Sequence, residues 1–92
     1  MTYYTYMIEC ENVSSGRKTL YTGYTNSIMR RFQEHSSGRG ARYTKGKDLR
    51  LVFFQKFRSR RDAMAREREI KKMPKRKKVS LIKDIQVNDY LL

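Results

Sequence analysis

The sequence has little of several things, and each shortage excludes something. One cysteine, Cys10, stands among 92 residues, so no disulfide can close within the chain, and a reducing cytosol suits it. No apolar run approaches the roughly 20 residues that a membrane-crossing helix needs. The start, Met1-Thr2-Tyr3, has neither the basic region nor the apolar stretch of a secretory signal, and a cytoplasmic location is expected. There is one histidine and no His/Cys cluster at zinc-binding spacing. No glycine-rich loop ends in Lys-Ser/Thr, which excludes a phosphate loop of that type. Repeats and domain boundaries are absent too, so the chain reads as one domain with one modest core.

Acidic residues are scarce. Nine Asp and Glu stand against 22 Lys and Arg, a formal net charge of +13. Such an excess points to a polyanionic partner, with nucleic acid first. An anionic membrane surface comes second and is disfavoured, because no basic amphipathic helix carries large apolar anchors. No membrane partner is expected. Aromatic side chains are plentiful: seven tyrosines and four phenylalanines supply enough apolar material to fold without covalent staples.

The periodicity of side chains outlines the elements. Tyr3 to Cys10 alternates, with Tyr4, Tyr6, Ile8 and Cys10 on one side and Tyr3, Thr5, Met7 and Glu9 on the other, which predicts a strand. The polar stretch Glu11 to Arg17 reads as a hairpin loop, and Thr19 to Tyr24 as a second strand antiparallel to the first. Gly23 inside it marks a bulge or a close approach by another group. Thr25 or Asn26 is expected to cap a helix to about Ser36, with Ile28 and Phe32 on its buried stripe. Leu49 to Phe54 reads as a third, well-buried strand. Ser59 and Asp62 form a capping pair for a helix from about Arg60 to Met73. Pro74 separates it from a last helix, roughly Lys75 to Lys83. The order β-β-α-β-α-α predicts an α+β fold: a three-stranded, largely antiparallel sheet covered by helices.

Several residues on this frame can carry chemistry. Tyr6 and Tyr21 lie on strands expected to pair, so their hydroxyls can meet over one site. A phenol normally titrates near ~10 and becomes a base only where cations favour its ionised form; the plain alternative is that tyrosine is a common strand residue. Arg31 borders the stripe of Ile28 and Phe32, where a guanidinium can hold a phosphate by two hydrogen bonds. Arg30 projects away and reads as part of a solvated face. His35, four residues after Arg31, can share its side of the helix; alone it would read as an exposed helix end.

Glu67 gives the sharpest signal. It sits among Ala63, Met64 and Ile70, and a carboxylate in an apolar stripe is costly without a partner. That partner is a divalent metal or a neighbouring Lys or Arg. The loop Ser36 to Gly46 and the lysine after it present Arg39, Arg42, Tyr43, Lys45 and Lys47, a mix suited to nucleic-acid backbone contact and base stacking. Lys71 and Lys72 extend this surface, as does the run Lys75 to Lys78, for which a merely solvated face is the bland alternative.

Tyr4-Thr5-Tyr6 and Tyr21-Thr22-Gly23, followed by Arg30-Arg31, His35 and Glu67, resemble the GIY-YIG nuclease family in order and spacing, from about Tyr3 to Lys78. The resemblance is to its stand-alone, single-domain branch, related to the first nuclease domain of bacterial nucleotide-excision repair. Tyr4 and Thr5 depart from the first motif, and Thr22 from the second; that branch tolerates such changes. The resemblance implies a nuclease domain over 1–84, with 85–92 as a C-terminal extension or tail. It implies that Tyr6, Tyr21, Arg31 and Glu67 belong to the site, with His35 supporting, and leaves open which tyrosine takes the proton. Glu67 would be the ligand of Mg²⁺ or Mn²⁺. The expected activity is metal-dependent hydrolysis of phosphodiesters in nucleic acid, DNA ahead of RNA, with specificity open to supply by a protein partner. The rival reading is a nucleic-acid-binding module that keeps the fold without useful cleavage.

Overall fold

The structure, a computed structural model, describes residues 1–84; the expected extension at 85–92 lies outside the described residues. The elements follow the expected order: β1 (Tyr3–Glu11), β2 (Lys18–Thr25), α1 (Ile28–Ser36), a 3-10 turn (Arg42–Thr44), β3 (Asp48–Phe57), α2 (Arg60–Lys71) and α3 (Lys75–Asp84). The three strands form one sheet in the order β2-β1-β3, and both pairings are antiparallel. The first strand in sequence is thus the central one.

Both faces of β1 are covered, and its middle residues from both sides of the alternation, Thr5, Tyr6, Met7, Ile8 and Cys10, are buried. On one face Tyr6, Ile8 and Cys10 pack with Ile28 and Phe32 of α1 and with Leu49, Leu51 and Phe54 of β3. On the other, Met7, Val52 and Phe53 pack with Ile70 of α2, backed by Met73, Leu81 and Ile82. The result is a sheet between one helix and a pair of helices. The Thr5 hydroxyl donates to the Ala63 carbonyl at 2.7 Å and ties β1 directly to α2.

The hairpin loop is built by Asn12, whose Oδ1 accepts from the amides of Ser14 at 2.9 Å and Ser15 at 3.1 Å. Gly16 takes a positive φ of 72° there, where a side chain would be strained. The cap of α1 is Ser27, one or two residues later than expected. Its hydroxyl accepts from the Arg30 amide at 3.3 Å. Thr25 is still paired in β2, opposite Tyr4, and turns its hydroxyl on the backbone of Ser27. Ser59 caps α2 as expected, accepting from the Asp62 amide at 3.1 Å. That helix ends at Lys71, two residues before the expected Met73; the Met73 amide closes a tighter final turn on the Ile70 carbonyl at 3.0 Å.

Gly23 makes no bulge. The bulge is on β3, where Met7 pairs with Phe53 and Ile8 with Leu51, leaving Val52 as the extra residue. Gly23 instead stands opposite Tyr6. A Cβ there would lie 2.5 Å from the Tyr6 hydroxyl and 2.7 Å from Cζ, so the missing side chain makes room for the Tyr6 ring.

Candidate active site

The face of the sheet that carries α1 gathers most of the expected site. Tyr6 rises from the central strand and is only 2% exposed. Its hydroxyl is 3.0 Å from His35 Nε2. His35 is the one buried residue of α1, so it is no exposed helix end. Its other nitrogen, Nδ1, is 2.8 Å from Thr44 Oγ1, and the Thr44 hydroxyl donates to the Ala41 carbonyl, also at 2.8 Å. A hydroxyl has one proton to give. Nδ1 also faces the Ala41 amide, at 3.4 Å, and it can donate to Thr44 or accept from Ala41 but not both. With the shorter contact, to Thr44, made by Nδ1–H, Nε2 accepts from Tyr6 O–H; with the Ala41 amide donating to Nδ1, Nε2–H donates to the Tyr6 oxygen.

The electrostatics favour a neutral imidazole in either arrangement. Burial, with the Arg31 charge, pushes the His35 imidazole below its ordinary range, so its neutral form is favoured. Burial also dominates at Tyr6, whose hydroxyl is pushed up to about 12. Arg31 lies against that hydroxyl and opposes the rise, while Tyr21 and Glu67 add to it. The Arg31 guanidinium is fixed on its other side by Glu34, 3.0 Å from Nη1. Arg31 holds the Glu34 carboxyl below the usual carboxylate range.

Tyr21 is on the neighbouring strand, half-buried. Its ring centroid is 6.5 Å from that of Tyr6. It meets the His35 ring edge-on at 5.2 Å. Its outer side is covered by Tyr43, stacked at 6.0 Å and 26°. Tyr43 is exposed, and Lys47 Nζ sits 3.9 Å from its ring centroid. Two members of the basic-aromatic loop are thus joined to the cluster. Arg39, Arg42 and Lys45 are exposed on the same connection, with Arg39 bonded to Ser37 at 3.1 Å.

Glu67 comes from α2, on the opposite side of the sheet. It is set between the buried Ala63 and Ile70, as its spacing predicts, and its side chain is 17% exposed. Its charge acts on the Tyr6 hydroxyl. Lys71 Nζ lies 3.6 Å from Glu67 Oε2, so Lys71 is engaged with the carboxylate, while Lys72 is exposed at the end of the helix. Among the described residues no group of three or more His, Cys, Asp or Glu comes together. A lone carboxylate fits a hard cation that draws its other ligands from water and substrate phosphate, as Mg²⁺ does. It does not fit a cation needing an all-protein cage.

Three contributors escape a reading of the sequence. Thr44 is 1% exposed and orients His35. Gly40 lies so close to His35 that a Cβ would collide with the ring and the backbone. Glu34 anchors Arg31. The one local hint was the glycine at 40, which reads equally well as a helix stop.

A buried tyrosine and histidine, a fixed arginine and a half-buried second tyrosine thus meet on one face of an α+β sheet, with a carboxylate set on the helix behind it. The chain belongs to the GIY-YIG family. The family model of the GIY-YIG catalytic domain matches residues 2–80. Among its relatives is a UPF0213 protein of Haloquadratum walsbyi, 42% identical over 83 residues, covering 89% of this chain and 88% of that protein. A UPF0213 protein of Clostridium perfringens is 39% identical over 90 residues, covering 95% and 91%. The solution NMR structure of a UPF0213 protein from Bacillus halodurans matches with a TM-score of 0.57 and 40% identity, over 95% of this chain and 88% of that one.

Proposed function

We propose that this protein is a metal-dependent endonuclease that hydrolyses phosphodiester bonds in nucleic acid, DNA ahead of RNA. The observation that carries the reading is the convergence on Tyr6. His35 from α1 meets its hydroxyl at 3.0 Å, Arg31 lies against the same hydroxyl, and the charges of Tyr21 and Glu67 both reach it. A buried phenol in a structural core needs none of these neighbours.

In this reading Arg31 holds the scissile phosphate and meets the charge that grows on it as the bond breaks. Its free N–H groups are available because Glu34 occupies only Nη1. The two tyrosines divide the remaining work. Tyr6 keeps its proton, hydrogen-bonds to His35 and holds His35 and Arg31 in register. Tyr21 is the more open of the two and, as the phenolate, takes the proton of the attacking water; the water oxygen bonds to phosphorus, the bond to the leaving oxygen breaks, and that oxygen takes a proton from solvent. His35, neutral and buried, orients the pair. Glu67 would hold Mg²⁺ or Mn²⁺, which when bound supplies positive charge to the phosphate oxygens. Tyr43 and Lys47, with Arg39, Arg42 and Lys45, form the surface on which the strand lies, and Lys71 and Lys72 continue it from α2. The domain over 1–84 suffices for the chemistry, and a protein partner would supply substrate choice.

Glu67→Gln is the decisive test. The variant should lose nicking of supercoiled plasmid in Mg²⁺ while binding DNA as the parent does. If Lys71 is the only cation Glu67 serves, the substitution should instead lower the melting temperature and leave cleavage in place. Nicking at near the parent rate would sink the proposed chemistry.

A further inference from the structure

We propose that the cleft beside Arg31, bordered by Arg30 and Arg60, is a second phosphate site that holds a backbone phosphate flanking the one at Arg31. The inference rests on the nucleic-acid reading above and adds to it a binding position outside the catalytic cluster.

The cleft has a volume of about 450 Å³ and lies where the end of β2, the start of α1 and the first residue of α2 meet. Three arginines line it, Arg30, Arg31 and Arg60, against a single carboxylate, Glu34. That carboxylate is taken by Arg31 at 3.0 Å. Neither Arg30 nor Arg60 makes a salt bridge among the described residues. Both are nevertheless held in place, and by neutral acceptors. Arg30 Nη2 donates to Asn26 Oδ1 at 2.8 Å. Arg60 donates to the Tyr24 hydroxyl through Nη2 at 3.1 Å and Nε at 3.3 Å.

The choice of acceptor decides what these arginines can do. A carboxylate orients a guanidinium but cancels its charge. An amide or phenol oxygen orients it and leaves the charge whole. Two such oriented, uncancelled forks on one polar cleft suit a phosphate, which guanidinium recognises through paired hydrogen bonds. Arg31 belongs both to this cleft and to the cluster around Tyr6. An anion in the cleft is therefore adjacent to one at the cluster, which is the relation between neighbouring phosphates on one strand. Arg30 thus has a use away from the reacting centre, although it points away from Tyr6.

The test uses the full-length protein and a fluorescently labelled, mixed-sequence DNA duplex in EDTA, with binding followed over a range of salt. Arg30→Gln/Arg60→Gln should bind roughly tenfold more weakly at low salt. The slope of log affinity against log salt should become shallower by about 0.9, the value for one lost phosphate contact on duplex DNA. Arg30→Lys/Arg60→Lys keeps the charges and should recover most of the slope. Lys18→Gln/Arg50→Gln removes as much charge from the opposite end of the sheet, where these residues stand across from Glu11 and Glu9, and should keep the parent slope. An unchanged slope in the Arg30/Arg60 variant, or an equal loss in the Lys18/Arg50 variant, overturns the proposal. Because no cleavage is measured, a parent protein that proved inactive would sink the nuclease reading and leave this result to stand or fall by itself.

Discussion

Tyr6 and Tyr21 are the same residue type on paired strands, yet their surroundings divide them. Tyr6 is enclosed and hydrogen-bonded; Tyr21 is half-open and lies between the His35 edge and the Tyr43 face. Tyr21→Phe is expected to slow single-turnover cleavage by about 10²–10⁴, the range for losing a positioned base. Tyr6→Phe should cost less and should loosen His35. Unchanged rates in both variants would rule out a phenolic base. The buried imidazole also sets a pH dependence of stability. Its folded value lies below the ordinary ~6.5, so below that pH the unfolded chain takes up a proton that the folded chain resists. Stability from this group is full above about 6.5 and is lost as pH falls through the folded value. Melting curves between pH 7.5 and 5 should show the loss, and it should shrink in His35→Asn. An identical pH slope in the two proteins would contradict the assignment.

At the scale of the elements, much was legible from residue pattern alone. The alternation of Tyr3 to Cys10 marked β1, Ser59 and Asp62 marked the start of α2, and the apolar neighbours of Glu67 marked it as a carboxylate needing a cation. What was not legible depends on contacts between segments distant in sequence. Thr44 matters because the loop after α1 folds back on His35, and nothing local in Arg42-Tyr43-Thr44 announces that. The bulge at Val52 follows from pairing with β1, not from any glycine or proline in β3. The cap of α1 moved to Ser27 because three capping residues stand in a row and the first is held by the sheet. Gly23 was flagged, but only the register with Tyr6 gives its reason. Gly23→Ala should therefore push the Tyr6 ring from its place, lowering stability by about 1–3 kcal/mol and reducing cleavage with it. Thermal melts and nicking on one preparation check this, and a variant with parent values in both would remove the packing argument.

For the molecule as a whole, charge is the controlling property. With +13 on 92 residues and no base-reading motif evident in the sequence, affinity for nucleic acid should fall steeply with salt and vary little with sequence. Titrations of unrelated duplexes from low to physiological salt give the measurement; affinity indifferent to salt would refute an electrostatic mode. The position of β1 has another consequence. It is bonded on both sides and covered on both faces, so its amides can meet deuterium only when the sheet comes apart. The exchange rate at Tyr6 then reports global opening, not local breathing. Tyr6 therefore has no soft mode of its own: heat or denaturant should leave its backbone in place until the entire sheet is lost.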